Sequence, residues 1–258
     1  MSQIKTQGLV IKACNLNDND KILTVLTRDS GIITAISKGI RSQKHKDFSS
    51  LQLFCYSDMV IEKRTGLGYV SSAAVINNFF EIRECVEKVS LAAYIADLAN
   101  SLPQGECYDE LFYNFILNML YSISKTKTDK LLIHNILRLK TIFEFKFCCE
   151  SGYLPQTDEC ALCGSVKKLK YFDTYEGCVI CDDCINKTDG SAMINIDEKG
   201  VRMVDFLCKS DLKTVFKFDC DDETLNLLTY ASQMYLQCCT ELAPATLEYL
   251  NGVVNGAN

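Results

Sequence analysis

Two Cys-x2-Cys pairs, Cys160-Ala-Leu-Cys163 and Cys181-Asp-Asp-Cys184, constrain this chain more than any other feature it carries. Seventeen residues, Gly164 to Ile180, separate them, within the spacing of a four-thiolate metal site. Each pair is a tight turn whose two sulfurs can reach one ion. Zn²⁺ takes four thiolates tetrahedrally, and a shell closed in that way leaves no position for water or substrate. The reading is a structural metal site that does no catalysis. Cys178 also stands three residues before Cys181, so spacing alone leaves Cys178/Cys181 open as the second pair. A redox Cys-x2-Cys, a disulfide and ordinary buried thiols compete with zinc. Gly164 behind the first pair and Gly177 ahead of the second cluster are placed for the tight turns a metal needs.

The chain has 258 residues, 48% of them hydrophobic and 23% charged, the balance of a globular protein with ample core material. Its 15 cysteines are unusual. Met1-Ser-Gln-Ile-Lys-Thr is not followed by the apolar stretch of a secretory leader. Cys14, Cys55, Cys85, Cys148, Cys149, Cys208, Cys238 and Cys239 lack knuckle spacing and read as small buried hydrophobes in a reducing compartment. The longest uncharged stretches, such as Leu225 to Thr240, contain Asn, Gln and Ser and fall short of a membrane span. A cytoplasmic protein with no membrane partner is expected.

The net charge of −6 conceals a split. Residues 1–80 hold ten Lys/Arg against six Asp/Glu, a net of +4, and the remainder carries −10. Halves of opposite sign call for different partners, and a polyanion suits the first.

Up to about residue 80 the pattern is that of strands: Gly8–Cys14, Lys21–Thr27, Gly31–Ser37, Met59–Arg64 and Tyr69–Ile76. Thr65-Gly-Leu-Gly68 reads as the hairpin loop between the last two. Five short strands suit a small closed barrel of OB type, although the strands alone also allow an SH3-like one. From Glu81 the period becomes helical. Ile82, Val86, Val89, Ala93, Ala96 and Ala99 predict a first helix that ends at Pro103-Gln-Gly105. Leu111, Phe112, Phe115, Met119 and Ile123 predict a second, and a third runs from about Asp129 to Gly152. Helices return near Asp197–Leu207 and from Asp221 to Thr240, where Asp221-Asp222 cap the start. Phe79 and Phe80 read as a plug at the strand-to-helix junction.

Between the third and fourth strands lies Lys38-Gly-Ile-Arg41-Ser-Gln-Lys44-His45-Lys46, four fixed positive charges in nine residues. A solvated connector is the plain reading. The functional one is a clamp on phosphates, which neutralises backbone charge without reading sequence. Lys12, Lys21 and Arg28 extend the track if they share its face. Single-strand grooves add aromatic platforms, for which Phe48, Phe54, Tyr56 and Tyr69 are the candidates. No phosphate-binding Gly-x4-Gly-Lys-Ser/Thr, nucleophile elbow or His-Glu-x2-His is present, and His45 and His134 are the only histidines.

At this point the chain resembles the RecO family of bacterial DNA repair and recombination proteins over essentially its whole length. The resemblance is carried in order by Gly8-Leu-Val-Ile-Lys12 with Asp20–Arg28, Gly31 with Ser37-Lys-Gly-Ile-Arg41, and Leu91–Leu98. It continues through Gly152-Tyr-Leu-Pro155, Cys160–Gly164 and Gly177–Cys184. The family pattern has a Gly-Gly pair before its second knuckle. Cys178 therefore stands where a glycine is usual, and Cys160, Cys163, Cys181 and Cys184 become the implied ligands of one structural zinc. The loop after Arg41 is less arginine-rich than the family's, and Tyr230–Thr240 lacks the basic residues usual there.

The resemblance implies an α+β protein: an OB-type barrel over 1–80, then a helical domain over 81–154 and 188–258 with a zinc module inserted at 155–187. It implies a recombination mediator, not an enzyme, that binds single- and double-stranded DNA and anneals complementary strands. With RecR such a protein helps load RecA, and the single-stranded-DNA-binding protein is a further implied partner, in a cytoplasmic, nucleoid-associated setting. Lys38, Arg41, Lys44 and Lys46, on a mobile loop, would grip phosphates. The rival readings are a zinc-containing adaptor that binds only proteins, and a thiol oxidoreductase using Cys178, Cys181 and Cys184.

Overall fold

The β-branched runs before residue 80 close on themselves. The computed structural model describes residues 2–63, 67–101 and 110–256; Arg64, the start of the expected hairpin loop at Thr65, and Pro103-Gln-Gly105 lie outside them. The first five strands are β1 (Ser2–Asn15), β2 (Lys21–Thr27), β3 (Gly31–Ser37), β4 (Tyr56–Lys63) and β5 (Gly68–Asn77). They form a closed barrel in the order β1-β2-β3-β5-β4, with β4 returning to β1. Neighbours are antiparallel except β3 and β5, which run parallel through Ala35–Gly68 and Ile36–Tyr69. This is the OB-type barrel expected from the strand pattern.

Alternation fills the interior. Val10, Leu23, Val25, Ala35, Met59 and Ile61 pack inside, and Ile40 and Leu51 join them from the segment between β3 and β4. Leu9 and Leu26, on the opposite face of their strands, are also buried.

Among the described residues six α-helices follow: α1 (Val86–Asn100), α2 (Glu110–Lys125), α3 (Leu132–Glu150), α4 (Asp197–Lys209), α5 (Asp222–Thr240) and α6 (Ala245–Gly256). Four more strands lie between α3 and α4: β6 (Gln156–Cys160), β7 (Leu169–Asp173), β8 (Cys178–Cys181) and β9 (Met193–Asn195). The chain divides into two compact units, Met1–Lys125 with Pro244–Asn258, and Thr126–Ala243.

In the first unit α1 packs on β1 and α6 packs on α1, where the Thr246 hydroxyl donates to Asp97 Oδ2 at 2.8 Å. The stripe expected from the period of α1 is buried only in part, at Ala96 and Ala99 and at Ile82 just before the helix. Val86 is 45% exposed, whereas Leu91, Tyr94, Ile95 and Leu98 are buried. A helix enclosed on most sides has no single apolar face for a periodicity argument to find. Leu111 in α2 is likewise exposed while Phe112, Phe115, Met119 and Ile123 are buried. Phe79 is buried, but Phe80 is 62% exposed and plugs nothing.

In the second unit α3 packs on α5. Their contact holds a fully buried ion pair, Lys140 Nζ to Glu144 Oε1 at 2.8 Å. Gln233 Oε1 accepts from the same ammonium, and the Ser232 hydroxyl donates to Glu144 Oε2 at 2.6 Å. These partners are what make two charges tolerable in an interior. Phe145, Phe172 and Tyr235 meet edge-on or tilted at 5.4–6.3 Å, joining α3, β7 and α5. Asp221 caps α5 as expected, its Oδ1 accepting the Thr224 N–H at 2.9 Å. Of the cysteines read as buried, Cys55, Cys148 and Cys208 are, but Cys14 and Cys238 are exposed.

Candidate nucleic-acid interface and metal centre

The basic segment starts where β3 ends. Lys21 opens β2 and pairs with Ser37 at the end of β3, so Lys21 and Lys38 stand at one end of the barrel. Lys38, Arg41, Lys44 and Lys46 are all exposed, and Lys21 is half-buried. Lys12 is exposed near the end of β1, opposite Thr24. Arg28 is placed apart. It follows the far end of β2, its N–H bonded to the Gln7 carbonyl, and its guanidinium pairs with Glu110 at 2.5 Å. Seven residues of strand at ~3.3 Å each put it more than 20 Å from Lys21.

The loop is exposed, as expected, and hydrogen bonds join its start to the β1–β2 turn. Gly39 takes φ +66°, which suits a residue without a side chain, and its N–H donates to Asp20 Oδ1 at 2.8 Å. Arg41 donates its N–H to the Asn19 carbonyl at 3.1 Å and its guanidinium to the Asn17 carbonyl at 2.7 Å. The Asn17 side chain in turn accepts the N–H groups of Asn19 and Asp20. Successive turns, Ser42 to Gly39, His45 to Ser42 and Phe48 to His45, lace the rest. The Gly39 N–H, helped by the Asn17 amide and the Lys38 ammonium, holds the Asp20 carboxyl below the usual carboxylate range. The β1–β2 turn thus fixes the direction of the basic segment.

The aromatic candidates separate. Phe54 is 2% exposed. Tyr56 donates its hydroxyl to Gln7 Oε1 at 2.8 Å and meets Tyr113 edge-on. Phe48 is half-buried within the loop's own turns. Tyr69 is half-buried beside the basic segment, with Lys38 Nζ 5.2 Å from its ring centroid.

The four cysteines meet. Cys160 ends β6, Cys181 ends β8, and Cys163 and Cys184 sit in the turns that follow. Their sulfurs all lie within 4.8 Å of one another, with Cys163 to Cys181 at 3.7 Å. Four thiolates about 2.3 Å from one zinc stand about 3.8 Å apart, so the group could hold such an ion. β6 and β8 run side by side in the sheet order β6-β8-β7-β9, which brings the two knuckles together. The Gly164 N–H closes the first turn on the Cys160 carbonyl at 2.9 Å, and the Cys184 N–H closes the second on Cys181 at 3.0 Å.

Burial raises the Cys160 thiol, but the N–H groups of Cys181, Leu162 and Cys163 outweigh it and bring it down to about 6. Such donors favour the thiolate that a metal requires. Cys178 stays outside the group, in register with Gln156 and Asp173, and burial pushes its thiol up to about 11. Gly177, at φ +65°, faces the Tyr235 ring, where a Cβ would come within 2.9 Å. Lys168 and Lys170 pair with Asp183 and Asp182 around the second knuckle.

His134 lies between two carboxylates, Nδ1 at 2.6 Å from Asp222 and Nε2 at 3.3 Å from Asp219. Among the described residues no helix is long and apolar enough to cross a membrane.

Comparison with known proteins agrees with this architecture. Residues 1–79 match the family model described as recombination protein O N terminal, and residues 83–248 match recombination protein O C terminal. A protein named DNA repair protein RecO from Acetivibrio thermocellus is 29% identical over 92% of both chains. One from Dehalococcoides mccartyi is 26% identical over 96% of this chain and 95% of its own. Another, from Caldicellulosiruptor saccharolyticus, is 28% identical over 92% and 93%. With the barrel and the helical region both matched, the chain belongs to the recombination protein O (RecO) family of DNA repair proteins.

Proposed function

We propose that this chain is a non-enzymatic recombination mediator that binds single- and double-stranded DNA through the basic end of its barrel and anneals complementary strands. The observation that carries the reading is that the exposed Lys38, Arg41, Lys44 and Lys46 lie on the segment that leaves the end of β3, beside Lys21, in an OB-type barrel of a RecO-family chain. Lys12 extends this track along β1, and Arg28, held by Glu110, lies outside it.

Annealing requires that two polyanions approach while neither is gripped for long. Exposed Lys and Arg neutralise phosphates without reading bases, and they let go again as counterions return. No covalent bond is made or broken in such a reaction. In this reading 1–80 holds the nucleic acid, the acidic helical segments 81–154 and 188–258 meet protein partners, and 155–187 is a module set by one zinc. Cys160, Cys163, Cys181 and Cys184 would hold that zinc, which supplies a closed four-thiolate shell and hence structure. Family resemblance supports RecR as a partner in loading RecA, with the single-stranded-DNA-binding protein as another, at the nucleoid in the cytoplasm.

The test is strand annealing by the purified protein, read from complementary labelled oligonucleotides. The wild type should anneal well above the spontaneous rate. Replacing Lys38, Arg41, Lys44 and Lys46 together by Ala should return annealing towards that rate in a protein that still folds, with only the Arg41 tie to the Asn17 carbonyl lost from the loop. Undiminished annealing by the folded quadruple variant would contradict the assignment.

A further inference from the structure

Single strands differ from duplex in offering bare base faces, and one ring at the basic end of the barrel is set to receive them. Tyr69 pairs with Ile36 across the parallel β3–β5 seam. Lys38 follows directly on Ser37, the last residue of β3. Its ammonium sits 5.2 Å from the Tyr69 ring centroid, the arrangement of a cation on an aromatic face. A face that a flexible lysine head covers is reachable from solvent on that side. Lys38 thus puts positive charge on the side of Tyr69 where the strand's backbone would run.

We infer that Tyr69 is a nucleobase-stacking subsite that makes this end of the barrel prefer single strands to duplex. The inference rests on the nucleic-acid reading above and deepens it. A base stacks on the ring where the lysine head rests, and the displaced Lys38 ammonium turns to the adjoining phosphate. Arg41 and Lys21 hold the neighbouring phosphates. In a duplex the bases are already stacked on each other, so only phosphate contacts remain and Tyr69 contributes nothing. Of the four aromatic candidates, Tyr69 is the one with a basic head on its ring, which ties the base and phosphate contacts together.

The experiment compares Tyr69→Leu, Tyr69→Phe and wild type for binding to oligo(dT) and to a duplex of equal length at one salt concentration. Tyr69→Leu should lose about tenfold on the single strand and stay within about twofold on duplex, while Tyr69→Phe matches wild type on both. In parallel, a single strand carrying 5-iodouracil, irradiated with the unmodified protein, should crosslink to the peptide containing Tyr69. A Tyr69→Leu variant that binds both as wild type does, or loses both in proportion, overturns the inference, as does a crosslink that maps elsewhere. These outcomes leave the phosphate clamp standing. A wild type that binds neither nucleic acid overturns the clamp as well.

Discussion

Asp20 is the residue on which the aim of the basic segment depends. Its carboxylate takes the Gly39 N–H and the Asn17 amide and stands near the Lys38 ammonium. Those contacts lower its folded pKa, so they favour folding while the group is ionised. The contribution is full above the unfolded value of about 3.9 and is lost as pH falls through the lower folded value. Melting temperature should therefore fall as pH drops below about 4, and less steeply in Asp20→Asn. Equal slopes for the two proteins would show that Asp20 does not bear this tie. In the sequence the residue stands out only as the start of the Asp20–Arg28 segment: its partner Gly39 lies nineteen positions on, and no local pattern announces such a bond. Arg41 shows the same limit, since its charge was legible but its bond to the Asn17 carbonyl was not.

Among the elements, the small sheet β6–β9 depends most on the cysteine cluster. Its strands are three to five residues long, too short to be stable without support. If the four thiolates hold one metal, its binding energy is folding energy for this sheet. The protein as purified should contain one zinc per chain. Chelation should open residues 155–187 to limited proteolysis while the barrel stays resistant. A metal-free chain with a protected module would contradict the structural role.

The knuckles were legible because thiol spacing is a sharp signal, whereas the strands around them were not. Gln156–Cys160 is polar and Cys178–Cys181 is only four residues long, so neither shows alternation to count. In the barrel the same signal was strong: strands such as β2 and β3, seven residues each, have β-branched interiors and turn residues at both ends. α6 went unread for a different reason. Leu247, Leu250 and Val254 have helical spacing and are buried, but Gly252 and two asparagines dilute the pattern.

At the scale of the molecule, a net charge of −6 gives no general attraction to a polyanion. In the proposed function, affinity for DNA would come from where the positive charges are placed. The charge split of the sequence points to the first eighty residues, and the barrel's register separates Lys21, beside Lys38 at one end, from Arg28 at the other.

The salt dependence of single-strand binding tests this most directly. About four phosphate contacts predict that log K falls against log salt with a slope near −3 for the wild type. The variant with Lys38, Arg41, Lys44 and Lys46 replaced by Ala should flatten the slope to about −1, with only Lys21 and Lys12 left on the track. An unchanged slope in that variant, with the protein folded, would show that the strand is held somewhere else.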